Sequence, residues 1–263
     1  MIGQSKLQSK LQAHIDNGTL PRTLLFEGAR GCGKHTLCNE LAAKLNLVIE
    51  DITDSLTLDT LQDIMLRPSP YIYIIDCSKL SVKEQNVILK FLEEPLKNSY
   101  ICMLCEFKYR LLPTVLNRCQ CFSFEQYTQE ELSQFVDFQI SPEILRYMCT
   151  PGLVLKSKSA PVDNMISLSK QIFEKISIAS YSNILSIPTK CYYKEEKENL
   201  LEFDLFVYIL INVAHDKYLN NEITYEMYQL TDTFYNDCYI FNINKQQLFE
   251  HFVIELKQLF ERR

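Results

Sequence analysis

Two scarcities mark this chain of 263 residues: it has only six glycines, and no run of 18 apolar residues. The missing apolar run excludes a membrane-spanning helix; the longest candidate, 205–211, stops at Asn212. Residues 1–12 alternate polar and apolar side chains and hold no signal-peptide core. The cytoplasm is therefore the expected compartment, with no membrane partner. There the ten cysteines are expected as reduced thiols, not as a disulfide framework. A basic excess is also lacking. A net charge of −6 and a pI near 5.4 disfavour a protein whose main direct partner is a phosphate backbone. What remains is 47% hydrophobic and 23% charged, an ordinary globular balance with length for a real core.

Scarce glycine makes its clustering informative. Gly28, Gly31 and Gly33 fall within six positions, and glycine is needed where backbone takes positive φ or approaches a ligand closely. Residues 23–26 read as a strand. Leu37, Leu41, Ala42 and Leu45 share one face of a following helix. Strand, glycine-rich turn, helix is the context of a phosphate-binding loop, and Gly28 to Lys34 match its Gly-x4-Gly-Lys core. Backbone N–H groups of such a loop wrap phosphates, the helix N-terminus adds positive potential, and Lys34 reaches the terminal phosphates. His35 stands where a serine or threonine hydroxyl would bind Mg²⁺, and imidazole is a poor ligand for that hard cation. Thr36, one residue on, points in a different direction on the helix. The nucleotide-contacting set expected here is Gly28, Gly31, Cys32, Gly33, Lys34, His35 and Thr36, joined by Asp76.

Asp76 closes the continuous apolar run 71–75, the pattern of a strand buried on both faces of a parallel sheet. An ATPase of this kind places an acid directly after it to orient the attacking water; here Cys77, Ser78 and Lys79 follow. Two independent lesions, His35 and Cys77, predict a nucleotide cradle with impaired hydrolysis and compromised magnesium chemistry. Further strands are expected at 100–104 and 119–124, and helices at 81–92 (broken by Pro95) and 110–116. Strands alternating with helices indicate a doubly wound α/β domain. After Phe124 the pattern turns helical. Thr128 to Glu131 form a capping box, Thr150-Pro151-Gly152 break the helices once, and 157–161 read as a linker. From Val162 a helical domain follows, its last helix starting near Asn244 with Leu248, Phe252, Leu256 and Leu259 on one face. There is no internal repeat.

Three stretches then become recognisable: Ile74-Ile75-Asp76; 85–95, containing Leu89-Lys90-Phe91-Leu92-Glu93-Glu94-Pro95; and 111–120, containing Asn117-Arg118-Cys119. Together they resemble the bacterial clamp-loader family of AAA+ proteins, which open the sliding clamp for replicative DNA polymerase III. The resemblance runs from about Gly3 to Phe124 and weakens beyond; Asn242-Ile243-Asn244 is similar to the family's collar. Within the family the chain is most similar to delta-prime subunits, stators with degraded nucleotide machinery. The resemblance implies a RecA-like AAA+ core with a parallel sheet (1–127), a small helical lid (128–160) and an all-helical collar (161–263). It implies a pentameric ring with gamma/tau and delta subunits, acting through the complex on the sliding clamp and primer-template DNA. ATP is the implied ligand. Arg118 is implied to be an arginine finger that reaches the ATP site of the neighbouring subunit, whereas Arg118 read alone is a surface arginine in a salt bridge.

The chain departs from the family in places. The interval 37–71 contains only Cys38, so the four-cysteine zinc module of many relatives is absent. Cys105 occupies the position that senses the γ-phosphate, and Lys156 is the nearest candidate for a lid cation. Cys102-x-x-Cys105 and Cys119-x-Cys121 have superficially suitable metal spacing, but they lie on expected buried strands where cysteine acts as a small hydrophobe; no metal ligand is assigned. His14, His35, His215 and His251 are scattered without an acid–base pattern, and the mixed run 190–197 reads as a solvated segment. Two other readings are a motor-type gamma/tau ATPase that tolerates His35, and a small-molecule P-loop kinase. The kinase leaves the 89–95 match unexplained.

Overall fold

The computed structural model describes residues 3–67, 70–93, 99–176, 178–180, 182–183, 199–238 and 244–262. Glu94 and Pro95, the run 190–197, and residues 242 and 243 lie outside them. The chain divides into two compact units, Met1–Phe135 with Thr150–Gly152, and Val136–Cys149 with Leu153–Arg263.

In the first unit, β1 (Thr23–Glu27), β2 (Val48–Asp51), β3 (Tyr71–Asp76), β4 (Tyr100–Cys105) and β5 (Gln120–Ser123) form one sheet. Its order is β2-β3-β4-β1-β5, every pair parallel. The chain leaves β1 toward the far edge, returns through β3 and β4, and crosses β1 to add β5. β1 thus lies at the reversal of strand order, where α/β sheets bind ligands outside the carboxyl ends of the strands. The apolar strands are buried on both faces by alternation. Leu24, Phe26, Ile72, Ile74, Cys102 and Leu104 pack toward α1 (Ser5–Asp16) and α2 (Lys34–Leu45). Leu25, Tyr73, Ile75, Ile101, Met103 and Cys105 pack on the other face against α3 (Leu58–Leu66), Ile88, Phe91 and Val115. Leu24, Leu25 and Phe26 have no exposed surface, and each such burial favours the fold by roughly 1.5–3 kcal/mol.

The expected strands and helices of this unit are present, with three differences. β2 and α3 fill a region that sequence patterning left unread. The helix expected over 81–92 is two short ones, α4 (Val82–Val87) and α5 (Leu89–Glu93), meeting at the fully buried Ile88. The helix expected at 110–116 shrinks to α6 (Pro113–Leu116), because Pro113 supplies a first-turn residue and Leu112 before it is extended. The capping box at α7 (Gln129–Phe135) is reciprocal: the Thr128 amide donates to Glu131 Oε2 at 2.9 Å, and the Glu131 amide to Thr128 Oγ1 at 3.2 Å.

The second unit is helical: α8 (Pro142–Tyr147), most of α9 (Pro151–Lys156), α10 (Val162–Lys175), α11 (Asn199–Leu219), α12 (Tyr225–Asp237) and α13 (Lys245–Glu261). α10 packs on α11, α11 on α12 and α12 on α13. Asn244 caps α13, its Oδ1 accepting from the Gln246 and Gln247 amides. Phe249, Phe252, Val253 and Leu256 form its buried stripe, with Phe234 stacked on Phe252 at 4.5 Å between ring centres. In chain order, then, an α/β RecA-like core is followed by a helical C-terminal region. Among the described residues, no helix is long and apolar enough to cross a membrane.

Candidate functional site

The loop after β1 begins with the Gly28 amide donating to the Cys105 carbonyl at 3.1 Å, which ties it to the end of β4. Gly31 (φ 77°) and Gly33 (φ 102°) occupy the left-handed region, where a side chain would be strained. Gly33 is the N-cap of α2 and has no side chain to close it, so the first N–H groups of the helix are left for a ligand. A twelve-residue helix whose amides open onto a glycine turn suits a phosphate.

Lys34 Nζ donates to the carbonyls of Gly28 at 2.5 Å and Ala29 at 3.0 Å. The ammonium thus lies inside its own loop, where a bound phosphate would take over these contacts. His35 and Thr36, in the first turn of α2, are exposed. Cys32 is buried, and burial raises its thiol above the ordinary range even against the Lys34 charge. Its carbonyl accepts from the Tyr127 hydroxyl at 2.7 Å. Burial pushes Tyr127 up to about 12, so this hydroxyl remains a donor.

Sequence reasoning missed the segment that props the loop from behind. Thr150 Oγ1 donates to the Arg30 carbonyl at 2.7 Å, and the Gly152 amide to the Gly31 carbonyl at 2.9 Å. A Cβ on Gly152 would sit 2.9 Å from Gly31 Cα, closer than packing permits. The run Thr150-Pro151-Gly152, read as a helix break, is instead a brace that opens α9. The small residue beside a proline was the available signal.

Asp76 ends β3, and its Oδ1 accepts from the Ser78 amide at 3.0 Å and the Ser78 hydroxyl at 2.6 Å. Its own amide donates to Thr53 Oγ1 at 2.9 Å, which fixes the carboxylate at the carboxyl edge of the sheet. Cys77 turns away from that edge into the core, 6% exposed, and burial pushes its thiol well above the ordinary range. It stays a neutral thiol and cannot accept a proton from water at neutral pH.

Cys105 likewise packs into the core, with burial pushing its thiol up to about 12. It is a neutral thiol at the end of β4 with the Lys34 charge acting on it, and it offers no ionised group to a phosphate. The next residue, Glu106, carries the polar group there. Burial raises its carboxyl above the ordinary range against the nearby charges of Lys34, Arg30 and Arg110, and Asp76 adds to the rise. Glu27, at the end of β1, behaves oppositely. Burial raises it, but hydrogen bonds from Ser123 and Lys108, with the Lys108 charge, bring it below the ordinary range.

Arg118 follows α6 and is not part of this corner. Its NH1 donates to the Thr114 carbonyl at 2.6 Å and its NH2 pairs with Glu93. The segment leading to α6 is pinned by buried Gln85, whose Oε1 accepts from the Leu112 amide at 2.8 Å while its Nε2 donates to the Arg110 carbonyl at 3.3 Å. The structure thus gathers Gly28, Gly31, Cys32, Gly33, Lys34, His35 and Thr36 in one loop and first helical turn. Asp76 lies on the same sheet edge, and Arg118 stands apart. Lys156 belongs to the helical unit. Cys102 and Cys105 face opposite sides of the sheet. Among the described residues no three His, Cys, Asp or Glu side chains are placed to hold a metal ion.

Residues 47–128 match the family model described as DNA polymerase III, delta subunit. The chain is 26% identical over 151 residues to Replication factor C subunit 3 of Saccharomyces cerevisiae, covering 51% of this chain and 44% of that protein. It is 25% identical over 166 residues to DNA polymerase III subunit tau of Bacillus subtilis (50% and 30% covered). It is 30% identical over 79 residues to subunit delta' of the same organism (29% and 24%). The matched stretch spans less than half the length of each of these three relatives. In fold the chain is similar to the Thermotoga maritima RuvB Holliday junction branch migration motor, with TM-score 0.50 at 18% identity over 73% of this chain and 77% of that one.

Proposed function

From the premise that the chain belongs to the clamp-loader family of AAA+ proteins, we propose that it is a delta-prime-like subunit of a DNA polymerase III clamp loader. In this reading it helps load the sliding clamp onto primed DNA in the cytoplasm. It acts as a stator in a pentameric ring with gamma/tau and delta subunits. Residues 1–127 form the nucleotide core, 128–160 a lid and 161–263 a collar. The chain binds nucleotide through Gly28 to Thr36 and Asp76, hydrolyses it weakly or not at all, and lends Arg118 to the adjoining subunit.

The observation that carries the reading is Cys77. The position after the strand acid, where a carboxylate would orient water, holds a buried neutral thiol aimed into the core. The exposed imidazole of His35 at the hydroxyl position weakens magnesium binding further. What this chain's residues do is cradle phosphate on backbone amides and on Lys34. Where bound, ATP would supply the scissile phosphate and Mg²⁺ would offset its charge, and Asp76 is the side chain here suited to hold the metal. A finger contributes by placing a fixed cation against the transferring phosphoryl group, worth about 10³–10⁵ in rate where it has been dissected.

The test is the ATPase of the purified chain and of the complex co-purified with its endogenous partners. The isolated chain is expected to turn over ATP negligibly. Arg118→Ala is expected to remove one phase of hydrolysis by the complex, slowing it on the order of 10³-fold. An unchanged complex ends the finger assignment. A second reading, a gamma/tau-like motor, is favoured by the intact glycine cradle around Lys34. Vigorous turnover by the isolated chain, lost in Lys34→Ala, would establish it instead.

A further inference from the structure

The Arg118 guanidinium is held from two directions. Thr114, one helical turn earlier, accepts from NH1 at 2.6 Å, and the Glu93 carboxylate, at the end of α5, pairs with NH2. The two side chains of the pair are 31% and 51% exposed. An ion pair that open to water does little for folding. Its main physical consequence is geometric: a long, flexible side chain loses most of its rotamer freedom before any phosphate arrives.

The chemistry of the group makes that consequence useful. A guanidinium carries five N–H donors in a planar fork. Among the described residues two acceptors are named for it, one on NH1 and one on NH2. Two such bonds use two of the five N–H groups and leave the others for a phosphate approaching from outside the chain. Holding two donors therefore orients the group without consuming it.

Building on the finger reading of Arg118, we infer that Glu93 is a positioning residue, holding the Arg118 guanidinium so that its unused N–H groups meet the triphosphate bound by the adjoining subunit. Glu93 itself touches no substrate. It acts by keeping the cation in register, and a shift of about 1 Å in such a group costs on the order of 10²-fold in rate.

Single-turnover ATP hydrolysis by the complex co-purified with its endogenous partners tests this, using wild type, Arg118→Ala, Glu93→Ala and Glu93→Gln. Glu93→Ala is expected to slow the Arg118-dependent phase on the order of 10-fold. The ATP concentration for half-saturation and the yield of assembled complex should not change. Glu93→Gln, whose amide oxygen still accepts from the guanidinium, is expected to recover the rate to within about 3-fold of wild type. A merely structural role would lower assembly or Tm while leaving the rate per complex intact, and that result overturns the inference. So does faster hydrolysis in both Glu93 variants, which would make the carboxylate a competitor for the finger. An Arg118-sensitive phase untouched by Glu93→Ala sinks this inference alone; if Arg118→Ala slows nothing, the finger reading falls and takes it along.

Discussion

The glycine loop and the Arg118 corner belong to the same unit but handle their polar groups in opposite ways. In the loop the groups are satisfied inward. Lys34 donates to its own loop carbonyls, Tyr127 and Thr150 fasten the backbone from behind, and the side chain after Asp76 is a thiol sunk in the core. At the Arg118 corner the cation is held by two acceptors and left partly open to solvent. The difference teaches where chemistry was retained. Backbone that grips phosphate can persist as a rigid fold element after the proton-handling side chains are gone. On the proposed finger reading, a cation lent to another chain stays oriented outward.

The sharpest way to break the contrast is to try restoring the missing acid. Cys77→Glu would make the chain hydrolyse ATP if one side chain were all that separates it from a motor. The Cys77 position faces the apolar cluster of Ile75, Met103 and Val115, so the new carboxyl would be buried without a partner. We expect a loss on the order of 3 kcal/mol in chemical denaturation and no gain of turnover by the isolated chain. A stable variant with ATPase activity would erase the distinction between the two corners.

How far the contrast was readable beforehand depends on which physics carried each residue. The loop was legible because glycine spacing and the flanking apolar runs are local signals, and the central strands because a parallel sheet buries both faces. β2 escaped because Val48 to Asp51 is an edge strand, half exposed and only half apolar. α3 was passed over although Thr57 caps it and Leu58, Leu61 and Ile64 keep helical spacing. That Cys105 is a buried thiol follows from strand alternation, which its position along the motif does not reveal. Thr150, Gly152 and Tyr127 could not be placed at the loop from sequence, since their partners lie about a hundred residues away. Read alone, Arg118 was a surface arginine in a salt bridge. That pairing is present in the structure, and the finger role rests on the flanking motif.

A smaller effect probes how firmly the loop is braced. In Gly152→Ala the new methyl meets backbone atoms of Gly31, at 2.9 Å from Cα and 2.9 Å from the carbonyl oxygen, and backbone cannot rotate aside as a side chain can. Overpacking of this kind costs about 1–3 kcal/mol, a fall of about 2–10 °C in Tm at this size. Nucleotide affinity of the isolated chain, read by fluorescent ATP titration, should fall with it, because Gly31 is part of the cradle. An unchanged Tm would mean the brace is slack and the loop less rigid than the contrast requires.

The smallest expected effect is electrostatic and separates two carboxylates at the strand ends. Burial raises Glu106 above its ordinary value. Between the unfolded and the raised folded pKa the native state binds more proton than the unfolded chain, so stability falls as pH rises through that window. Glu106→Gln removes the penalty: its Tm should exceed wild type at pH 7, with the gap closing toward pH 4 as the wild-type carboxyl becomes protonated. Glu27 has the opposite sign, lowered on balance by Ser123 and Lys108 despite burial. Its contribution is present above the unfolded pKa and disappears as pH falls through the folded one, so Glu27→Gln should lose Tm at pH 7 and converge on wild type in acid. If Glu106→Gln does not raise Tm at pH 7, this end of the sheet does not penalise a second carboxylate. Glu106 would then be an ordinary surface acid and no part of what distinguishes this corner.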